Sequence, residues 1–194
     1  MDLGQTQELR DLVAKEVERQ TAKLRQELEA LVADRAPQDK ASFVVFSGDL
    51  DRLLAALAIA TGAAASGLET TMFFTFWGLA ALKQKGAGAK GKRTLKQKMF
   101  AMMTPASTEG MGVSRMNYFG AGARMLRSMM DDAGVDSVEK LLALARELGV
   151  KLVACTMSMD VMGVAKEQLV DGVELGGAAT FLGEASRSKV SLFI

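Results

Sequence analysis

The sequence contains no histidine and only one cysteine, Cys155, among its 194 residues. A single cysteine cannot form a disulfide within the chain, so nothing in the composition indicates an oxidising compartment. The lack of histidine deprives this thiol of an imidazole base, and no cluster of cysteine and histidine is present that would be typical of a metal site. We therefore expect no metal and no cofactor.

Excess charge and long apolar runs are also missing, which argues against two further classes of protein. Lys and Arg number 24 against 23 Asp and Glu, whereas a nucleic-acid-binding domain needs a clear basic excess. The uncharged stretches 53–68 and 70–82 are each shorter than the about 20 residues that a membrane-spanning helix needs. They predict a buried helix followed by a buried strand.

The start MDLGQTQELR lacks the basic and apolar regions of a signal peptide. We expect a cytoplasmic protein with neither nucleic acid nor membrane as a partner.

The first forty residues differ in composition from the rest. Residues 5–35 contain neither Gly nor Pro and are rich in Glu, Lys, Arg, Leu and Ala, which predicts one long helix ending before Pro37. Part of this helix follows the 4-then-3 spacing of a coiled coil, through Val17, Thr21, Leu24, Leu28 and Leu31. The apolar residues nearer the N-terminus leave that register, so a coiled coil between subunits and a helix lying on its own domain both remain open. We divide the chain into an N-terminal helical extension, residues 1–40, and a second domain, residues 41–194.

The second domain predicts alternating strands and helices. The stretch SFVVFSGDLDRLLAALAIATGAAASGLETTMFF predicts a strand, a tight turn, a helix with Asp49 or Asp51 as its N-cap, and a second strand. Continuous apolar strands in strand-helix-strand order are typical of a parallel sheet buried on both faces. The remaining segments predict a helix over residues 120–133, a second helix over 137–148 capped by Ser137, a strand over 150–155 and a short helix. They further predict an extended segment near Val173, a helix over 178–186 and a strand over 189–194. The expected fold is α/β, with a parallel four- to five-stranded sheet and helices on both faces.

Two compositional features have both a structural and a functional interpretation. Residues 83–98 contain seven basic residues and no acid. We interpret this basic insertion as solvated, with a dock for an acidic partner or small anion as the alternative. The second feature is the high methionine content, 13 residues. Methionines near Cys155 could bind Cu(I), but packing in an irregular core is the favoured interpretation.

Cys155 lies in the stretch KLVACTMSMDVMG, at the end of a predicted strand and directly before a predicted helix turn. A buried, inert thiol is the simplest interpretation. Functional groups collect at the carboxyl ends of parallel strands, however, and a helix N-terminus lowers the pKa of a thiol without any histidine. With Thr156 or Ser158 as the N-cap, the sequence favours a reactive cysteine.

Five stretches in this order, SGDLDRLLAALAIATGAAASG, TMFFTFWGL, KMFAMMTP, SRMNYFGAG and KLVACTMSMDVMG, resemble the DsrE/DsrF/DsrH-like family. Within it, they are most similar to the cytoplasmic peroxiredoxin-like (DsrE3-type) sulfurtransferase branch. The resemblance covers residues 42–194 and implies a parallel sheet between helices, assembly as multimers, and transport of sulfane sulfur as a cysteine persulfide between carriers such as TusA-like proteins and rhodaneses. The reacting cysteine that it implies is Cys155, followed by Gly163. A second cysteine present in some branches is missing here.

The peroxide-reducing chemistry suggested by the branch name is not expected. A peroxidatic cysteine follows a Thr or Ser by three residues, where this chain has Leu152, and the chain offers no resolving cysteine.

The leading hypothesis is a sulfur relay protein whose Cys155 carries the persulfide. The supporting groups would be Thr156, Met157, Ser158 and Met159: backbone N–H groups of about residues 157–159 would hold the negative charge, and methionine side chains would shield the sulfur. The alternatives are a non-catalytic oligomeric assembly module in which Cys155 is structural, and a Cu(I)-binding protein.

Overall fold

The computed structural model describes residues 3–86, 94–105 and 107–194. The chain divides between Pro37 and Gln38 into two units, which we describe separately. The first unit is a single helix, α1 (Leu3–Arg35), as predicted from its lack of internal helix breakers. The side chains of residues 10–33 are all exposed, the apolar ones included.

The second unit is built on five parallel strands, which confirms the predicted α/β fold. They are β1 (Gln38–Val45), β2 (Glu69–Phe74), β3 (Lys151–Cys155), β4 (Glu174–Gly176) and β5 (Ser188–Phe193). The strand order is β4-β3-β2-β1-β5, and all neighbours run parallel. Strand β1 begins at Gln38 rather than Ser42, because its polar, solvent-exposed start still pairs with β5. Backbone pairing of that kind leaves no hydrophobic pattern in the sequence.

Six helices belong to this unit in the described residues. They are α2 (Leu50–Ala65), α3 (Leu95–Met103), α4 (Ala121–Asp132), α5 (Val138–Glu147), α6 (Thr156–Met162) and α7 (Ala178–Ala185). The segment after β2 forms a 3-10 helix, Phe76–Leu82. In the part of the chain that the structure describes, we find no helix with the length and apolar character needed to cross a bilayer.

The two faces of the sheet are covered to different extents. The main core lies on one face, where Phe43, Met72 and Leu152 pack with residues of α2 and α5. Side chains alternate between faces along a strand, so Phe73 and Val153 point the other way, towards Phe181 of α7. Helices on both faces are thus confirmed.

The expected helix caps are only partly observed. Asp49 holds the N-cap position of α2, but its side chain makes no capping bond and instead accepts a hydrogen bond from the hydroxyl of Ser47 at 2.8 Å. Asp51 lies in the first turn of α2 and accepts a hydrogen bond from the backbone N–H of Ser114. Ser137 caps α5 as predicted, because its hydroxyl accepts from the backbone N–H of Lys140.

Candidate active site

Cys155 is the last residue of β3, at the carboxyl edge of the sheet and between two neighbouring strands. On one side it pairs with Gly176 of β4. On the other side Ala154 pairs with Phe74 of β2, so the next residue along, Thr75, lies level with Cys155. Functional groups collect at this edge in open parallel sheets, and the sequence-predicted position of Cys155 at a strand end is observed.

Helix α6 starts directly at the thiol. Cys155 itself is the N-cap residue, in an extended conformation, so the prediction of Thr156 or Ser158 as the N-cap is wrong. The strand runs into the helix without an intervening loop, which puts the cap one residue earlier than the polar side chains suggest. The hydroxyl of Thr156 donates to the carbonyl of Gly176 at 3.4 Å, which ties the first residue of α6 to β4.

Two hydroxyl groups and two backbone N–H groups interact with the sulfur of Cys155. The side chain and backbone of Ser158, the hydroxyl of Thr75 and the backbone N–H of Met157 all act on it. The two hydroxyls also bond to each other, with 2.8 Å between Thr75 Oγ1 and Ser158 Oγ. Ser158 is fully buried and Thr75 is 9% exposed, so this small polar group is kept out of bulk water.

The hydrogen bonds outweigh the effect of burial on the thiol. Burial raises the pKa of Cys155, because a thiolate loses its hydration, whereas the bonds from Ser158, Thr75 and Met157 lower it, and the net pKa lies below the ordinary value. The chemical consequence is a larger thiolate fraction at a given pH than an ordinary cysteine has, without any imidazole base.

An apolar cluster covers Cys155, which is only 3% exposed. The cluster consists of Phe73, Val153 and Cys155, with Val44 and Phe181 packed against it. The ring centroids of Phe73 and Phe181 are 5.4 Å apart. The residues that shield the sulfur therefore come from β2, β3 and α7.

The methionines of α6 do not belong to this cover. Met159 and Met162 pack in the main core on the other face of the sheet, and Met157 is 53% exposed. The expected methionine shield over the sulfur is therefore not observed, because α6 turns its buried methionines away from the face that carries Cys155. Of the expected N–H donors, Met157 and Ser158 interact with the sulfur.

Thr75, Phe73 and Phe181 are the site residues that sequence reasoning missed. Thr75 had a detectable signal, since it follows an apolar strand just as Cys155 does, and the carboxyl ends of neighbouring parallel strands meet. That signal becomes useful only when β2 and β3 are known to be neighbours. Phe181 had no signal of its own, because its packing on the cluster of Phe73, Val153 and Cys155 depends on how α7 crosses the sheet.

Gly163 is the C-cap residue of α6. It is also the glycine that follows the reacting cysteine in the family resemblance. Gly163 has a left-handed backbone with φ of 66°, and a Cβ there would lie 3.0 Å from the side chain of Gln97 in α3. The amide of Gln97 donates to the carbonyl of Asp160 at 2.8 Å. Glycine thus allows α6 to end and α3 to pack closely on it.

A cavity of about 550 Å³ lies at the carboxyl end of β1. Its lining includes Ser47, Asp49, Arg52 and Trp77, and Met162 contributes from the far end of α6. Cys155 is not among its lining residues, so this cavity and the thiol are separate features at opposite ends of the same short helix.

The Cu(I) and basic-insertion interpretations stay hypotheses. Among the residues described, no group of three or more Cys, Asp or Glu side chains is arranged to hold a metal ion. Residues 87–93 of the basic insertion, including Lys90, Lys92 and Arg93, lie outside the described residues. Within the described part, Lys85 forms an ion pair with Glu109, 2.6 Å apart.

We compared the chain with models of protein families, with known proteins and with solved structures. A model of the DsrE/DsrF/DrsH-like family matches residues 37–193. The chain is 41% identical over 155 residues to the uncharacterized protein YrkE of Bacillus subtilis, covering 80% of this chain and 96% of that protein. It is 32% identical over 170 residues to the sulfur carrier protein DsrE2 of Allochromatium vinosum, covering 81% and 99%. The crystal structure of the ychN protein from E. coli superimposes with a TM-score of 0.47 at 14% identity, covering 80% of this chain and 98% of that one.

Proposed function

The chain belongs to the DsrE/DsrF/DrsH-like family, and from this premise we propose that it is a sulfur relay protein carrying sulfane sulfur as a persulfide on Cys155. The observation that carries the proposal is the set of hydrogen bonds to the sulfur from Ser158, Thr75 and Met157, which lowers the pKa of the thiol. The similarity to a sulfur carrier protein supports the same function. We also place the chain in the cytoplasmic peroxiredoxin-like (DsrE3-type) branch, on the motifs quoted above.

The reaction requires two exchanges of one sulfur atom. The thiolate of Cys155 attacks the outer sulfur of a donor persulfide, a new S–S bond forms, and the donor leaves as its own thiolate. An acceptor thiolate then attacks the outer sulfur on Cys155, and the Cys155 thiolate leaves. Each step exchanges one S–S bond for another, so no external oxidant or reductant is consumed.

The surroundings of Cys155 suit both exchanges. The thiolate is the attacking group in the first and the leaving group in the second, and a lowered pKa favours a leaving thiolate. The hydroxyls of Ser158 and Thr75 and the N–H of Met157 stabilise that charge. Thr156 holds the start of α6 against β4, and Met159 anchors α6 in the main core, so both act in positioning.

Donor and acceptor must be other molecules, because the chain has no second cysteine. We propose a rhodanese-type sulfurtransferase and a TusA-like sulfur carrier for these roles, in the cytoplasm, with this protein acting as a homo-oligomeric sulfurtransferase. Since Cys155 is 3% exposed, sulfur reaches it only when the side chains that cover it, Phe181 among them, move aside.

Radioactive sulfur transfer tests the relay. A rhodanese loaded with ³⁵S in its persulfide is mixed with this protein, which is then repurified and mixed with a TusA-like acceptor. Label that passes from donor to this protein and on to the acceptor supports the proposal. Label that reaches the acceptor equally well through the Cys155→Ser variant would contradict it.

One alternative rests on an observation of its own. The burial of Cys155 in an apolar cluster favours a structural cysteine in a non-catalytic assembly module. That alternative predicts slow alkylation of the native thiol and a pKa no lower than that of free cysteine, whereas the relay predicts a lowered pKa.

A further inference from the structure

The apolar stripe of α1 is exposed along its described length. Val17, Leu24, Leu28 and Leu31 are between 58% and 64% exposed. Their 4-then-3 spacing is that of the contact line of a coiled coil, and it extends through Thr21 to Ala14. A helix of 33 residues is about 50 Å long, and most of the stability of such a helix comes from packing its apolar stripe on a partner.

We propose that α1 pairs with α1 of a second copy of this chain as an antiparallel two-stranded coiled coil. In heptad notation the a positions are Ala14, Thr21 and Leu28, and the d positions are Val17, Leu24 and Leu31. In an antiparallel pair an a residue meets a d residue of the other helix. One alignment brings all of them together: Ala14 with the partner's Leu31, Thr21 with the partner's Leu24, and Leu28 with the partner's Val17.

This alignment gives layers of nearly constant volume. The smallest residue of the stripe, Ala14, meets a leucine, and so does Thr21. The parallel arrangement would instead pair like with like, which gives thin layers of two alanines at position 14 and two threonines at position 21 but thick layers of two leucines at positions 24, 28 and 31. The two-fold axis repeats each of the three pairs, so six layers cover residues 14–31, about 26 Å of helix.

Charge selects the antiparallel orientation. Glu18 and Arg25 both occupy e positions, beside the stripe. In an antiparallel pair e positions face e positions, so Glu18 meets the partner's Arg25, and symmetry provides the pair twice. In a parallel pair an e position faces the g position five residues earlier, so Arg25 would meet Gln20 and Glu18 would meet Val13. The ion pairs described within α1 join Arg19 to Glu16 and Lys23 to Glu27 and use neither Glu18 nor Arg25.

Disulfide trapping tests the arrangement in the full chain. The Cys155→Ser background removes the native thiol, and Ala14→Cys and Leu31→Cys are made separately in it, one of them with a longer tag. After mild oxidation, the mixture should give the mixed-size disulfide dimer at least about tenfold more than either variant alone gives its own dimer, since the two copies of position 14 would lie about 25 Å apart. A disulfide dimer that forms readily between two copies of Ala14→Cys would show a parallel pair and overturn the proposal. So would a mixture without any trapped dimer.

A charge exchange tests the orientation independently. Glu18→Arg in the same mixture should lower the trapping yield about fivefold, because two exposed ion pairs become repulsive contacts. Glu18→Arg combined with Arg25→Glu should restore it. A double variant that traps no better than the single variant would contradict the assigned pairs. This proposal goes beyond the sulfur relay and does not depend on the chemistry of Cys155, which is absent from every variant used.

Discussion

Two hydroxyl groups control the ionisation of Cys155. Ser158 in the first turn of α6 and Thr75 directly after β2 both lower the pKa of the thiol, and the two hydroxyls bond to each other. Since each hydroxyl has one proton, one of them donates to the thiolate while the other donates to its neighbour. In a chain without histidine these groups replace the base that usually activates a thiol. Their burial strengthens each bond to the thiolate, because water does not compete for the sulfur.

Removing the hydroxyl of Ser158 should make the thiol less reactive. We expect Ser158→Ala to raise the pKa of Cys155 and to slow its alkylation at pH 7 by about tenfold, since a hydrogen bond to a charged group contributes about 1.5 kcal/mol. The thiolate is the reacting form, so the rate rises with pH through the pKa of Cys155. The whole profile should move to higher pH in the variant. The measurement is the alkylation rate against pH.

Thr75→Val supplies a second variant that keeps the side-chain shape, and it should move the profile in the same direction. Thr70→Val is its matched control. Thr70 is a buried threonine within β2, whereas Thr75 directly follows that strand, and the hydroxyl of Thr70 donates to the carbonyl of Leu68. Equal profiles for Thr75→Val and wild type would show that this hydroxyl does not act on the thiolate.

At the scale of elements, we expect α7 to control access to the sulfur. Phe181 packs on Phe73 in the cluster that covers Cys155. We expect Phe181→Ala to speed alkylation of Cys155 by a bulky maleimide more than by small iodoacetamide. The midpoint of the pH profile should move to lower pH, opposite to Ser158→Ala, because the hydrogen bonds remain while the burial that raises the pKa of Cys155 is reduced. Rates for the two reagents, measured side by side, give the answer.

Leu182→Ala is the control for this prediction. Leu182 follows Phe181 in the same helix but is 62% exposed, so its loss should leave both rates unchanged. If Phe181→Ala and Leu182→Ala accelerate the bulky reagent equally, general loosening of α7 rather than cover by Phe181 is responsible.

The elements show what the sequence could and could not predict. The apolar runs of β1, β2 and β3 were readable because both faces of a parallel sheet are covered. Ser137 indicated the start of α5, because the hydrogen bond of a helix cap joins residues that are close in sequence. The hydrogen bond between Thr75 and Ser158 could not be predicted from the sequence. The two residues are 83 positions apart, and only the placement of β2 beside β3 brings them close together.

The start of α6 shows a limit of a different kind. The polar residues Thr156 and Ser158 suggested that one of their side chains would cap the helix. Cys155 is the N-cap residue instead, and its side chain makes no capping hydrogen bond. Ser158 uses its hydroxyl on the sulfur and on Thr75 instead. A serine in the first turn is compatible with both roles, so tertiary contacts decided between them.

At the scale of the whole molecule, a single thiol makes the proposed sulfur relay dependent on partner proteins. A chain with a single cysteine cannot resolve its own persulfide, so a complete cycle of loading and release requires both a donor and an acceptor. The second unit supplies the site, and we propose that α1 joins two copies through residues that take no part in that site. Loss of pairing by α1 should therefore leave loading of Cys155 intact.

The most direct test of the central claim is the intact mass of the protein after incubation with a persulfidated rhodanese. Transfer of one sulfur atom adds about 32 daltons, and the reductant dithiothreitol should remove it, because a persulfide is an S–S bond. We predict this gain on the wild-type chain, its location on Cys155 after proteolysis, and its absence from Cys155→Ser. No gain on the wild-type chain, or an equal gain on Cys155→Ser, would contradict the account.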